Sequence, residues 1–599
     1  MSLDLKRRIR RLAIERTVLR LLPAAALIAV CLWPAAGNAQ SATRDDPSDP
    51  NAHQRIPPAF ADGQTIELVY VHLVNPTADA ERNESLRQQV ADAYAIRPGL
   101  AYNQFVSRAA VEDVRDLEFV RSVEERLYSV RGGRQVAVAL LVTLHVPEEA
   151  PPPAATGAFA TGKLGDLPML WQDDRSQLKV IFNPAVGTYT DRDPWVGNPG
   201  AFVGQPDQSR TLGVVEAGIE LGLGGITRVG SSNTYVYGAA SYVGSTTLGR
   251  DIFTTDSSRV HGEVEDLYGG ILVARKGSDR SFNLSIGRQK FSLNRNLQIG
   301  HVLGASNGGD RAASNLSPRN AYDMTVDARY QIKNFTLQAW FADPNELPTS
   351  DSRSQYAGLN FRYNNNSTID ATLTLLSAPR SDARYPLPDG TFLHREGLRA
   401  VNPRIRWTSA LNLPGLWFEA EWAHQWHDDF DMSADGWGLW AGYTWEQPAW
   451  KPGVLYRYAT FTGDDPSTET YERFDSLTGG VQRDWAQGMD MIKIAINRNL
   501  RTHRFELSVK PLSGLDLSID YYYFMADTLN NLGGQRPVST YGDEHLGQEI
   551  TPTLQWMVNR NLYVQSLISI LIPGDGLSEV LPEPTRTWKT FQLSFYWFF

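Results

Sequence analysis

From residue 178 to the end of the chain, apolar and polar side chains alternate with a period of two. The last segment shows it most plainly. Phe591, Leu593, Phe595, Trp597 and Phe599 fall on one face of an extended chain, and Gln592 and Ser594 fall on the other. A period of two predicts β-strands whose two faces meet different surroundings. Eighteen segments carry this alternation, from 178–184 and 213–223 through 322–332, 402–410 and 499–510 to 590–599. Met489 to Ile496 also alternates, but as a nineteenth strand it would break the rhythm of the connections, so it is assigned to a loop.

The connections alternate in length. Lys333-Asn334, Asn364–Ser367, Pro511–Gly514 and Asn559–Asn561 are short, whereas 185–212, 244–266, 290–321, 378–401, 461–498, 526–547 and 572–589 are long. Short turns at one rim and long loops at the other predict a transmembrane β-barrel. A terminal strand ending in bare aromatic residues suits a membrane interface. The fold class expected is therefore mainly β: an 18-stranded antiparallel transmembrane barrel over 178–599.

The residues before the barrel read differently. Residues 1–39 have the form of a signal peptide: a basic start, an apolar core from Leu21 to Ala36, and small residues at Gly37-Asn-Ala39. Residues 40–62 read as a flexible leader. Residues 63–146 read as a small α+β domain. Ile66–Val71 is a strand, Asn83–Ala95 and Phe105–Leu117 have helical spacing, and Phe119–Val130 and Gln135–Val146 pair as strands around Arg131-Gly-Gly133. Residues 147–177 are a Pro/Ala/Gly-rich linker.

Composition narrows the function. Cys31 is the only cysteine and lies in the signal segment, so disulfides, thiolate catalysis and cysteine-bound metals are excluded from the rest. The formal charge is −10, and removing a segment with 7 basic and 2 acidic residues takes it to −15. That balance argues against nucleic acid as a partner. No stretch approaches a membrane helix. The sequence carries 16 Trp, 24 Tyr and 23 Phe without long apolar runs, as strands between lipid and water require.

Strand parity assigns candidate lumen residues. Met324, Val326, Leu359, Phe361, Ile405, Trp407, Tyr456, Phe505 and Leu507 face lipid. That turns Arg329, Arg362, Arg404, Arg406, Arg457 and Arg504 inward, together with Glu419, Glu421 and Asp520. Arginine binds carboxylates bidentately, and a series of weak sites lets a polymer advance. The same residues can instead cross-link the wall. Arg288 points outward by strict alternation, and a bulge at Gly287 would turn it in. Asp464 and Asp465 are candidates for gating the mouth. His424 and His427 beside Asp428 and Asp429 read as a solvated strand end, not a metal site. No nucleophile–base pair or phosphate loop stands out, so neither an enzyme nor a cofactor is expected.

Two resemblances sharpen the expectation. Tyr456-Arg-Tyr-Ala-Thr-Phe-Thr-Gly-Asp-Asp465, Phe474–Gly479, Leu507–Pro511, Leu546–Ile550, Ile572-Pro-Gly574 and Ile286-Gly-Arg-Gln289 resemble segments of the alginate export family, in order, over about 280–599. That resemblance implies an 18-stranded channel passing an acidic exopolysaccharide across the bacterial outer membrane. Residues 63–146, with Arg97-Pro-Gly-Leu-Ala-Tyr102 and Phe119-Val-Arg-Ser-Val123, resemble a POTRA domain. That implies a periplasmic module docking a synthesis or scaffold protein, by strand addition at its sheet edge. The alternatives are a porin-like channel for small anions or sugars and an outer-membrane assembly factor. The partners expected are outer-membrane lipid, the polysaccharide and the periplasmic protein.

Overall fold

A computed structural model describes residues 52–599, apart from 131–134, 146–156, 159–168, 201–209, 253–257, 301–304, 480–487 and 535–537 and the single positions 276, 446, 448 and 583. The signal segment, the first part of the leader, the Arg131 turn and most of the linker lie outside the described residues.

The first unit is a four-stranded sheet with helices on one face. Its strands are β1 (Ala52–Ile56), β2 (Ile66–Leu73), β3 (Val120–Val130) and β4 (Val136–Leu144), in the order β1-β3-β4-β2. β2 runs parallel to β4, and the other pairs are antiparallel. Its helices are α1 (Pro58–Ala61), α2 (Ala80–Tyr94) and α3 (Gln104–Arg115). The Asp79 and Asn103 side chains accept from two backbone N–H groups each and start α2 and α3. Leu86, Val90, Tyr94, Val111 and Val114 pack on β-sheet residues such as Val138 and Leu140.

Residues 52–61, expected as part of the flexible leader, instead form β1 and α1. β1 is five mostly polar residues, too short to show a period, and it is held by pairing with β3.

The second unit is a closed barrel of eighteen antiparallel strands. They are β5 (Ser176–Arg192), β6 (Thr211–Arg228), β7 (Thr234–Arg250), β8 (Ser258–Ala274), β9 (Arg280–Arg288), β10 (Met324–Ile332), β11 (Phe335–Asp343), β12 (Gln355–Asn364) and β13 (Ile369–Arg380), and then β14 (Leu398–Thr408), β15 (Leu416–His427), β16 (Ala434–Thr444), β17 (Gly453–Phe461), β18 (Leu500–Leu512), β19 (Leu515–Met525), β20 (His545–Met557), β21 (Leu562–Pro573) and β22 (Trp588–Trp597). The barrel closes where β22 pairs with β5, from Lys589↔Arg192 to Tyr596↔Ala185.

Each strand overlaps one of the eighteen alternating segments. The segment 489–498 is not a strand; it holds a single 3-10 turn at Met491–Lys493. The first four strands are longer than expected, and they absorb much of the connections 185–212 and 244–266. The outer half of β7, Ser241–Arg250, is rich in Gly, Ser and Thr, and that of β8, 258–266, is largely charged, so the apolar period is weak even though the ladder continues. Leu221, Leu337, Phe361, Ile405, Leu439 and Leu507 stand exposed on the outer face, as lipid contact requires.

The small domain is seated in the barrel, at the short-turn rim. Asn366, in the turn between β12 and β13, bonds both the N–H and the C=O of Val69 on edge strand β2. Asn364 donates to the Glu67 carbonyl at 2.8 Å, and Gln331 donates to the Pro98 carbonyl. Phe105 of α3 is buried against Ile181 and Ala239 of the wall. Gly224 lets the ring in, because a Cβ there would fall inside the ring's van der Waals envelope. Phe60 packs edge-on against Tyr563, Tyr596 and Phe598. The domain core runs on into inward-facing Ile226, Tyr237 and Leu272 of the barrel.

Candidate functional site: an arginine-lined lumen

Alternation builds the lumen. On β14 the outward Ile405 and Trp407 force Arg404 and Arg406 inward, and on β15 the outward Phe418 and Trp422 do the same for Glu419 and Glu421. Arg329, Arg362, Arg404, Arg406, Arg457, Arg504, Glu419, Glu421 and Asp520 are all buried inside the barrel.

These groups form a connected row. Asp370 on β13 accepts from Arg362 Nε at 2.6 Å and from Arg404 Nη1 at 2.5 Å. Glu419 accepts from Arg404 Nε at 2.6 Å, from Arg406 Nη1 at 3.0 Å and from Arg295 Nε at 2.6 Å. Arg404 lies opposite Glu421 in the ladder. The Arg406 guanidinium lies over Trp417, 4.4 Å from the ring centre, and Arg295 lies 4.2 Å over Trp440. Indole faces attract guanidinium and also offer flat platforms for sugar rings.

One member of the row comes from the small domain. Glu67 of β2 places Oε1 3.4 Å from Arg406 Nε and Oε2 3.6 Å from Arg404 Nη2. Burial pushes the Glu67 carboxyl up, and Arg406 and Arg404 only partly reverse that. Arg295, Arg362, Arg404 and Arg406 therefore face four carboxylates: Asp370, Glu419, Glu421 and the domain's Glu67.

The other arginines are set apart from this row. Arg329 pairs with Asp327 at 2.9 Å and donates to the Gly99 carbonyl and to Thr65, so it too holds the domain. Arg504 pairs with Asp520 at 2.8 Å and with Glu506. Arg457 lies opposite Arg504 in the ladder and donates to Thr502.

Arg288 does not join the row. Gly287 adopts φ +129°, but the pairing of β8 with β9 continues through it without a bulge. Arg288 instead ties the strand end to Asp323 and Glu263. Nor do Asp464 and Asp465 stand free at a mouth. Asp464 is buried and accepts from the Glu472 N–H, and Asp465 closes a turn onto Ser467. Backbone and side-chain hydrogen bonds from Ser467 hold the Asp465 carboxyl below its usual range. His424 pairs with Asp435 at 3.1 Å, and His427 stacks on Phe430.

Two long connections fold into the lumen. In the first, between β9 and β10, Asn294 bonds Thr374 and Asn402, the Asn315 and Leu316 N–H groups donate to Glu216, and Arg295 reaches Glu419. In the second, between β17 and β18, Asp475 accepts from Tyr385, Arg395 and Arg498. Burial would raise the Asp475 carboxyl, but Arg395 and Arg498 outweigh it and hold the group well below the usual range. The Asp490 and Met491 N–H groups close on Glu549 of β20.

Parity could have found Trp417 and Trp440, which share faces with Glu419 and with the residues opposite it. Arg295 and Glu67 carry no such signal, because one lies on an irregular loop and the other on a separate domain.

The chain matches the family described as "Alginate export" over residues 254–585, more than half its length. A comparison with curated proteins gave no match. Among solved structures, OccAB2 of Acinetobacter baumannii aligns with TM-score 0.44 and 12% identity, over 70% of this chain and 98% of that one. OprD of Pseudomonas aeruginosa aligns with TM-score 0.41 and 12% identity, over 70% and 94%. Likenesses this distant carry no functional argument. The family match covers the strands that build the arginine row and both lumen-filling connections: this chain belongs to the alginate export family of outer-membrane barrels.

Proposed function

We propose that this protein is an outer-membrane channel that exports an anionic exopolysaccharide, with the small domain and the short turns on the periplasmic side. The observation that carries this reading is the row Arg362–Arg404–Arg406–Arg295 beside Trp417 and Trp440. A uronate unit offers a carboxylate to a guanidinium and an apolar ring face to an indole. Every arginine in the row is already balanced by a wall carboxylate, so each would hold a passing carboxylate weakly and release it to the next. Long loops at the opposite rim suit an extracellular exit. The small domain would meet the periplasmic synthesis or scaffold protein. Edge β2 is occupied by Asn366 in the docked state, so strand addition there would require the domain to leave its seat.

The test is single-channel recording in planar bilayers with alginate oligomers and neutral dextran oligomers of equal length. Alginate oligomers should interrupt the current at concentrations where dextran does not, and Arg404→Gln with Arg406→Gln should weaken the interruption by about tenfold or more. Equal effects of the two sugars would refute the anionic reading.

A further inference from the structure

The small domain does more than touch the rim. It sends one carboxylate, Glu67, into the arginine row. Glu67 approaches Arg406 and Arg404 at 3.4 and 3.6 Å, whereas Asp370 and Glu419 approach the same two guanidiniums at 2.5 to 3.0 Å. Of the carboxylates that ion-pair with these two guanidiniums it is the most loosely held, and it is the one that another molecule could replace without breaking the wall. Without it, four guanidiniums face three carboxylates, and the row gains a vacancy for one negative charge.

The surrounding contacts fit a reversible seat. Strand edge β2 is held by two asparagine side chains, Asn364 and Asn366, rather than by a strand, and Arg329 and Gln331 grip the carbonyls of the Pro98-Gly99 turn and the Thr65 hydroxyl. Beside that turn lies a cavity of about 360 Å³ between domain and rim, lined by Arg97, Pro98, Asp279, Gln331, Lys333, Asn334, Asn364 and Asn366. Two cations, one carboxylate and four amides are suited to sugar hydroxyls.

We propose that the domain is a displaceable stopper whose Glu67 occupies the carboxylate site on Arg404 and Arg406, and that an acidic polysaccharide entering beside the Pro98-Gly99 turn takes that site and releases the domain. The proposal rests on the anionic-polymer reading above. It adds that the channel is shut by its own acidic side chain until an acidic ligand competes.

A disulfide tests it in the full chain. The Cβ of a residue placed at Gly99 would lie 3.2 Å from Thr336 Cβ, slightly closer than the about 3.5–4.5 Å of a relaxed disulfide, so Gly99→Cys with Thr336→Cys, in a Cys31→Ala background, bridges domain and barrel once the turn, at Gly99 φ +97°, gives by a few tenths of an ångström. Oxidised protein should stay at its lowest conductance with or without alginate oligomer. After reduction, alginate oligomer added from the domain side should raise open probability at least tenfold, and dextran oligomer should not. As a second variant, Glu67→Arg should open the channel at least tenfold with no oligomer present. Equal conductance of oxidised and reduced protein, with Glu67→Arg unchanged, would overturn the stopper. Redox-dependent conductance and an open Glu67→Arg, with no selective effect of alginate, would keep the stopper and overturn the anionic-polymer reading instead.

Discussion

Gly224 on β6 offers a way to unseat the domain from the barrel side. The position faces inward, and its missing side chain is what admits the Phe105 ring. Gly224→Ala adds one methyl to a wall where alanine suits the strand, so the barrel itself should form normally. The methyl and the ring cannot share the space. Driving Phe105 out of its site forfeits about 2 kcal/mol of apolar burial. Keeping it in place instead forces overpacking that costs about 1–3 kcal/mol. Either way docking weakens by about 2 kcal/mol, which is roughly thirtyfold in the docking equilibrium. Hydrogen exchange over residues 58–73 reads this directly. The Val69 amide that Asn366 protects should exchange about thirtyfold faster, while amides of β14 and β15 keep their wild-type rates. Unchanged protection of Val69, in a barrel that migrates normally, would refute the packing argument.

Removing the central anion of the row should damage the barrel itself. Glu419→Gln leaves Arg295, Arg404 and Arg406 short of charge in a buried site, and such breaks cost about 3–5 kcal/mol. The temperature at which the barrel loses its compact electrophoretic mobility should fall clearly; no change would mean the row is not structural. Trp417→Ala removes the face under Arg406, worth about 1 kcal/mol. It should weaken current interruption by alginate oligomers about fivefold in bilayer recordings. Docking should also depend on pH. Burial raises the Asp62 carboxyl to about 6 against the pull of Lys290 and Gln104 and with the push of Glu220, and the nearby Asp266 adds to that negative field. Asp62 holds its proton more tightly docked than free, so its contribution to docking is present at low pH and is lost as pH rises through about 6. Exchange of the Val69 amide, corrected for intrinsic pH dependence, should accelerate across that range; slowing would reverse the sign.

Much of the barrel was legible because lipid on one side and a polar lumen on the other impose strict alternation. Ile405 and Trp407 outward leave Arg404 and Arg406 no other place to go. Legibility fails where that constraint lapses. The outer half of β7 is mostly Gly, Ser and Thr and that of β8 mostly charged, so neither carries a clear apolar period. At Glu265 and Asp266 a bulge puts two neighbouring acids inside, which counting by twos cannot anticipate. Arg288 at a strand end obeys its local ion pairs, and Asp464 obeys the fold of its loop. The meeting of Glu67 with Arg404 and Arg406 was out of reach. Two units that each satisfy their own pattern say nothing about how one sits in the other.

Phe60 carries a consequence for how the protein is made. Its ring is enclosed by Tyr563, Tyr596 and Phe598, which belong to the last two strands and the end of the chain. The domain's seat is therefore assembled from both halves of the barrel, because Asn364, Asn366 and Gly224 supply the rest of it from earlier strands. A seat shared this way is complete only when the closing strands are in place, so docking reports on whether the last two strands have been added.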